Sequence, residues 1–220
     1  MTGTGDLDRF TNGGIASRQD RLAGPLRDLH RAVLRRFLAT GAAPTARWLK
    51  QAATDLGLGP DAAGQLAAAD AVHLGNGLVT VAYPFSGTPT PHRVELDDTP
   101  AVYAMCAIDA LGLPAMTGRD GRIISADPLD GQPIEVTVRN GAWTWTPGSA
   151  VVIIARAADC GTECGSWESM CPNTTFHASR DTARAYLTSH GNLDAQILDQ
   201  NTAIERGRYN FGSLLGGAPR

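Results

Sequence analysis

The chain has 220 residues, 43% of them hydrophobic and 19% charged, with a formal net charge of -3. That is enough apolar material to bury the core of one ordinary domain, which excludes a mostly disordered chain. The acidic balance excludes a strongly basic nucleic-acid or membrane-surface binder, and no apolar run reaches the ~20 residues of a membrane-spanning helix. The polar N-terminus carries no signal-peptide apolar stretch, so a cytoplasmic location is the expectation, with no membrane partner. In that compartment the 4 cysteines would be reduced thiols and not a disulfide framework.

Residues 1–24 read as a loose tail, holding Gly3, Gly5, Gly13, Gly14 and Gly24 among few apolar residues. Pro25 opens a helix with Leu26, Leu29, Val33, Leu34, Phe37 and Leu38 at helical spacing, and Gly41 stops it. A second helix fits 45–56, carrying Trp48, Leu49 and Ala52, and a third fits 61–72. Two strands, 78–83 and 93–96, read as a hairpin across the Gly/Thr/Pro loop 86–91. Helices followed by a hairpin predict a winged-helix-like region over 25–98. Its candidate recognition helix, 61–72, has no Arg or Lys, which argues against nucleic acid as a partner.

A core over 99–220 follows. Thr99-Pro100 reads as the start of a helix running to Leu111, with Gly112 and Pro114 ending it. The period then changes, predicting strands at 122–126, 133–138, 142–146 and 150–156, with Asn140-Gly141 as a two-residue hairpin turn. A polar loop over 159–170 bears cysteines. A short strand at 174–178, a Ser179-capped helix at 180–189 and a last helix at 193–209 complete the chain. The fold class is therefore α+β: a helical N-terminal region, then a mixed or antiparallel sheet packed with helices.

Chemistry can sit in two places. Cys106 and Asp109, three apart on the predicted helix, would project from one face. From spacing alone Cys106 fits a small buried core residue better than a reactive one. Asp109 argues the other way, because it is the lone carboxyl in an apolar stretch and is costly to bury without a partner or a task. A carboxyl held there would have a raised pKa and could serve as a proton donor. The second place is Cys160, Cys164 and Cys171, spaced Cys-x3-Cys-x6-Cys, which matches no strong zinc template. Cys160 and Cys164 fit a metal clip, a redox pair or plain loop thiols equally well. His177 fits a structural residue.

The stretch Tyr103-Ala104-Met105-Cys106-Ala107-Ile108-Asp109-Ala110-Leu111-Gly112-Leu113-Pro114-Ala115 resembles the catalytic helix of the organomercurial (alkylmercury) lyase family. Ser169-Met170-Cys171 with Phe176-His177-Ala178-Ser179 resembles that family's second cysteine segment. The resemblance covers about residues 25–212 and implies an alkylmercury-lyase-like fold. It implies Cys106, Asp109 and Cys171 as catalytic residues that cleave carbon–mercury bonds by protonolysis, giving a hydrocarbon and Hg(II). That ion would be held as product by Cys106, Cys171 and Asp109, with Cys160 and Cys164 as further candidate ligands. No organic cofactor is implied. The implied partners are an organomercurial substrate, cellular thiols and a mercuric reductase receiving Hg(II), the setting of mercuric resistance and detoxification. Tyr103 would line the pocket or serve as a core aromatic. The sequence departs from the family in its longer, cysteine-bearing segment before Cys171, in Met105 and Met170 beside the two cysteines, and in Pro172. The competing readings are a thiolate metal-binding relative, holding Zn or Cu(I) with a different activity or none, and a thiol-based metal sensor.

Overall fold

The computed structural model describes residues 15–158 and 166–216. The first described element is a helix, α1 (Ile15–Arg21), where the sequence predicted tail. The glycines of that stretch lie before it or after it, and Ile15, Gln19 and the following Leu22 bury against the rest of the chain. The remainder of the expected tail, residues 1–14, lies outside the described residues. Helix α2 (Gly24–Thr40) forms as predicted. Pro25 lies in its first turn, Leu26, Leu29, Val33, Leu34 and Phe37 make its buried stripe, and Gly41 closes it with φ 66°. Phe37 stacks on Phe85 with ring centroids 5.0 Å apart, tying this helix to the sheet. Each such fully buried side chain contributes roughly 1.5–3 kcal/mol.

Helix α3 (Ala46–Asp55) is capped by Thr45, whose Oγ1 accepts the Trp48 N–H at 3.1 Å. Helix α4 (Ala62–Ala68) is shorter than predicted, because the chain turns at Asp70 and enters β1 (Val72–Gly75). Strand β1 pairs with β2 (Leu78–Ala82) across Asn76-Gly77, both at positive φ as a type I′ turn requires. The hairpin of this region is thus β1–β2. The predicted pairing of 78–83 with 93–96 does not form: β2 pairs instead with β3 (Phe85–Ser86), while β4 (Arg93–Leu96) pairs with β5 (Val102–Ala104) and β6 (Gly121–Ala126). With β7 (Pro133–Arg139) and β8 (Ala142–Thr146), joined at Asn140-Gly141, these make an eight-stranded antiparallel sheet ordered β1-β2-β3-β5-β4-β6-β7-β8. The sheet runs through the expected boundary at 98/99, since β5 inserts between β3 and β4.

Two further segments differ from expectation. Residues 102–104 are strand and not helix, and the helix, α5 (Ala107–Thr117), starts later and runs through both Gly112 and Pro114. Three residues alternating buried, half-buried, buried are too few to outweigh an apolar helical pattern in sequence, but neighbours on both sides supply their ladder. Residues 193–198 form β11 (Leu193–Leu198), which lies beside β9 (Val151–Ala157) in a second sheet ordered β10-β9-β11, where β10 is Thr175–His177. Asp199 then caps α8 (Gln200–Phe211), accepting the Thr202 N–H at 2.8 Å. Helix α6 (Ser166–Ser169) leads into a 3-10 turn, Cys171–Asn173. Helix α7 (Arg180–Ser189) begins at a Ser179–Thr182 capping box. No described helix is long and apolar enough to cross a membrane.

Candidate active site

Helix α5 is apolar and buried on nearly every side, from Ala107 through Pro114. Its N-terminus is therefore delivered into the protein interior. Cys106 is not within the helix, as its spacing to Asp109 suggested, but is its N-cap residue, with extended φ −153° and ψ 179°. Its carbonyl accepts the Ala110 N–H at 2.9 Å, and Asp109 stands in the first turn, where a helix favours negative charge. Cys171 arrives from the other side on the 3-10 turn. A backbone hydrogen bond stitches the two segments together: Ala107 N–H donates to the Thr174 carbonyl at 3.1 Å.

The result is a closed group. The sulfurs of Cys106 and Cys171 and a carboxylate oxygen of Asp109 all lie within 4.8 Å of one another, and Cys171 Sγ stands 3.8 Å from Asp109 Oδ2. Their residues are only 5%, 7% and 3% exposed, so solvent screens none of their interactions well. Among the described residues this is the group of His, Cys, Asp and Glu side chains close enough together to hold one metal ion.

Burial pushes the Asp109 carboxyl up to about 7, although hydrogen bonds from both thiols and the charge of Arg18 favour its ionised form. Burial also drives the Cys106 thiol well above its ordinary range, helped by its hydrogen bond to Cys171 and the nearby Asp109. Cys171 is the recipient of that hydrogen bond, which favours its thiolate. Burial and the charges of Asp109 and Asp70 outweigh it, so this thiol is raised as well. At neutral pH both sulfurs therefore keep their protons, while the Asp109 carboxyl, pushed up to about 7, is present in both its protonated and ionised forms.

The other predicted site residues fall elsewhere or outside the described residues. Tyr103 is half-buried on β5, on the opposite face from Val102 and Ala104, and not on a helical turn before Cys106. His177 is fully buried with Nε2 3.0 Å from Thr175 Oγ1 and Nδ1 3.1 Å from Asp127 Oδ1, and it has no place in the three-residue group. Met105 and Met170 are partly buried and pack against the core, and Arg156 Nη2 approaches Met170 Sδ at 3.8 Å. Cys160 and Cys164 lie outside the described residues. Sequence reasoning missed Tyr83, Asp70 and Arg18, whose charges or dipoles reach the trio. Arg18 lay in the expected tail and Asp70 in an expected helix, so neither offered a local signal.

Residues 85–212 match the family model described as MerB: Alkylmercury lyase. The alkylmercury lyase of Staphylococcus epidermidis is 32% identical over 130 residues, spanning 59% of this chain and 57% of that protein. That of Streptomyces lividans is 29% identical over 210 residues, spanning 94% and 90%. With the Bacillus cereus relative the alignment spans 53% of that protein, so against several curated relatives the chain covers little more than half their length. Among solved structures, the mercury-bound form of MerB2 superposes with a TM-score of 0.74 at 22% identity, covering 96% of this chain and all of that one, a likeness of fold. With more than half of its residues inside the family match and Cys106, Asp109 and Cys171 gathered at one buried point within it, the chain belongs to the alkylmercury lyase family.

Proposed function

We propose that the protein is an organomercurial lyase that breaks carbon–mercury bonds by protonolysis, with Cys106, Asp109 and Cys171 as its catalytic residues. The observation that carries this reading is the pairing of two buried thiols with one carboxyl of raised pKa inside 4.8 Å. Mercury is soft and prefers thiolate ligands, whereas a carbanion-like carbon needs an acid beside it.

In the proposed sequence, the substrate R–Hg–SR′ meets the Cys171 sulfur, which forms an S–Hg bond while R′SH departs with the Cys171 proton. Cys106 then gives its thiol proton to the Asp109 carboxylate as its sulfur binds the same mercury. Donation from two sulfurs raises electron density on the attached carbon. Asp109 delivers the proton there, the C–Hg bond breaks, R–H leaves, and Hg(II) remains between the two sulfurs. The cycle consumes no external oxidant or reductant, and no organic cofactor takes part. Two cellular thiols, or the thiols of a mercuric reductase, would then remove Hg(II) by ligand exchange. A cytoplasmic setting, where such thiols are abundant, suits this cycle, and mercury resistance would be its consequence.

The test is direct. Purified protein given phenylmercury and excess small thiol is expected to release benzene catalytically, measured by gas chromatography. Stoichiometric zinc that resists mild chelation, with no benzene formed, would overturn the reading in favour of a closed thiolate metal site.

A further inference from the structure

Outside the trio, a set of polar contacts centres on the part-buried Asp70. Asp70 follows the α4 C-cap at φ 51°, a left-handed conformation that Asp and Asn tolerate, and the turn is closed by Ala71 N–H donating to the Leu66 carbonyl at 3.0 Å. This geometry aims the carboxylate away from α4 and into a ring of donors. Arg18, from α1, pairs with Oδ2, and Arg18 Nη1 also reaches the Asp70 carbonyl at 3.3 Å. The Ser166 N–H donates to Oδ2 at 3.2 Å, His73 Nε2 lies 2.7 Å from Oδ1, and the Tyr83 hydroxyl donates to Oδ1 at 3.4 Å. Arg18 Nη2 closes the ring by donating to Ser166 Oγ at 2.9 Å.

Closing a helix end needs no such assembly. Arg18 and Asp70 are only 16% and 21% exposed at the side chain, and taking both charges out of water is costly relative to apolar packing. What the ring does is grip Ser166. That residue begins α6, its carbonyl accepts the Met170 N–H at 3.0 Å, and Cys171 follows at once. On the other side of Cys171, Thr174 is held to Ala107 at the start of α5. Cys171 thus hangs between two anchors, one at α5 itself and one at the Arg18–Asp70 pair.

We propose that Arg18 and Asp70 are positioning residues: their ion pair clamps the start of α6 to the α4–β1 turn and so sets where Cys171 Sγ stands relative to Cys106 and Asp109. The role in catalysis rests on the lyase reading, but the clamp itself does not. The burial-opposed yet lowered pKa of Asp70, secured by His73, Arg18 and the Ser166 N–H, keeps the carboxylate ionised for this purpose.

The test measures sulfur–sulfur placement without mercury. In a Cys160→Ser, Cys164→Ser background, phenylarsine oxide condenses with the Cys106 and Cys171 thiols, giving one arsenic bridge and one water, which mass spectrometry follows with time. Arg18→Met and Asp70→Asn are expected to bridge at least tenfold more slowly than the background protein, and Arg18→Lys, which keeps the ion pair, to recover to within threefold. Benzene release from phenylmercury should fall in step. Bridging by Arg18→Met and Asp70→Asn within twofold of background would overturn the proposal, as would Arg18→Lys falling as far as Arg18→Met. Should Arg18→Met not fold, Ser166→Ala removes the closing contact alone, and it must slow bridging measurably for the proposal to stand. A background protein that bridges arsenic rapidly, with the variants slowed, yet yields no benzene would refute the lyase reading and leave the clamp intact.

Discussion

Asp109→Asn is expected to slow benzene release from phenylmercury by ~10²–10⁴, the usual loss when a positioned proton donor is removed. Asparagine matches the carboxyl in shape but cannot pass a proton between the Cys106 thiol and carbon. The variant should still take up Hg(II), since both sulfurs remain, and that separates proton delivery from mercury capture. Undiminished turnover would refute the assignment of Asp109 as the proton donor.

The same substitution has a stability signature of opposite sense. Native Asp109 titrates near 7 because burial penalises its charge, whereas the unfolded chain titrates near 3.8. Between those values the native protein holds a proton that the unfolded chain has released, so its stability falls as pH rises through that window. The contribution is fully present below pH 4 and is lost above pH 7, with a ceiling of about 4 kcal/mol. An asparagine side chain at this position has no proton to exchange. The stability of Asp109→Asn relative to the parent should therefore rise from pH 4 to pH 7 and level off beyond, and denaturant unfolding at several pH values reads it. A difference independent of pH would mean that the carboxyl is not desolvated as the structure places it.

The second large effect is mechanical. Gly207→Ala is expected to lower stability by about 1–2 kcal/mol and activity with it. Helices α5 and α8 cross at Gly112 and Gly207, and a Cβ at 207 would stand 2.9 Å from both Gly112 N and Leu111 C. Those are backbone atoms, which cannot rotate aside, so α8 must retreat from α5. Overpacking of this kind costs about 1–3 kcal/mol, against roughly 1 kcal/mol recovered from helix propensity. Because α5 carries Asp109 and begins at Cys106, the displacement reaches the trio. Gly24→Ala, with open space at the corresponding point, should stay within ~0.5 kcal/mol of the parent. Equal melting temperatures for the two variants would show that the helices do not meet as closely as described.

The glycine contact also explains why α5 does not end at Gly112. In sequence, Gly112 and Pro114 read as a stop. In the fold, Gly112 is the residue that lets Phe211 and α8 approach, and a helix enclosed on all sides tolerates Pro114 because packing outweighs one missing hydrogen bond. Gly118, at φ 65°, ends the helix instead, with its N–H bonded to the Pro114 carbonyl.

Local reading succeeds where a short segment contains its own cause. The apolar stripe and Gly41 stop of α2, the Asn140-Gly141 turn and the Ser179 cap of α7 depend on neighbours within a few positions. The residue types of the trio are legible for the same reason: a carboxyl between apolar residues and cysteines set in familiar motifs are properties of the string itself. The strands at 102–104 and 193–198, the pairing of β4 with β5 and not β2, and the helix at Ile15–Arg21 answer to partners beyond their own segments, and no short window along the chain contains them. The meeting of Cys171 with Cys106 and Asp109, and the hold of Arg18 and Asp70 on Ser166, are of that second kind. They arise only when burial of the apolar α5 draws its polar end inward and the surrounding elements close over it, because desolvation and charge pairing act through space and not along the sequence.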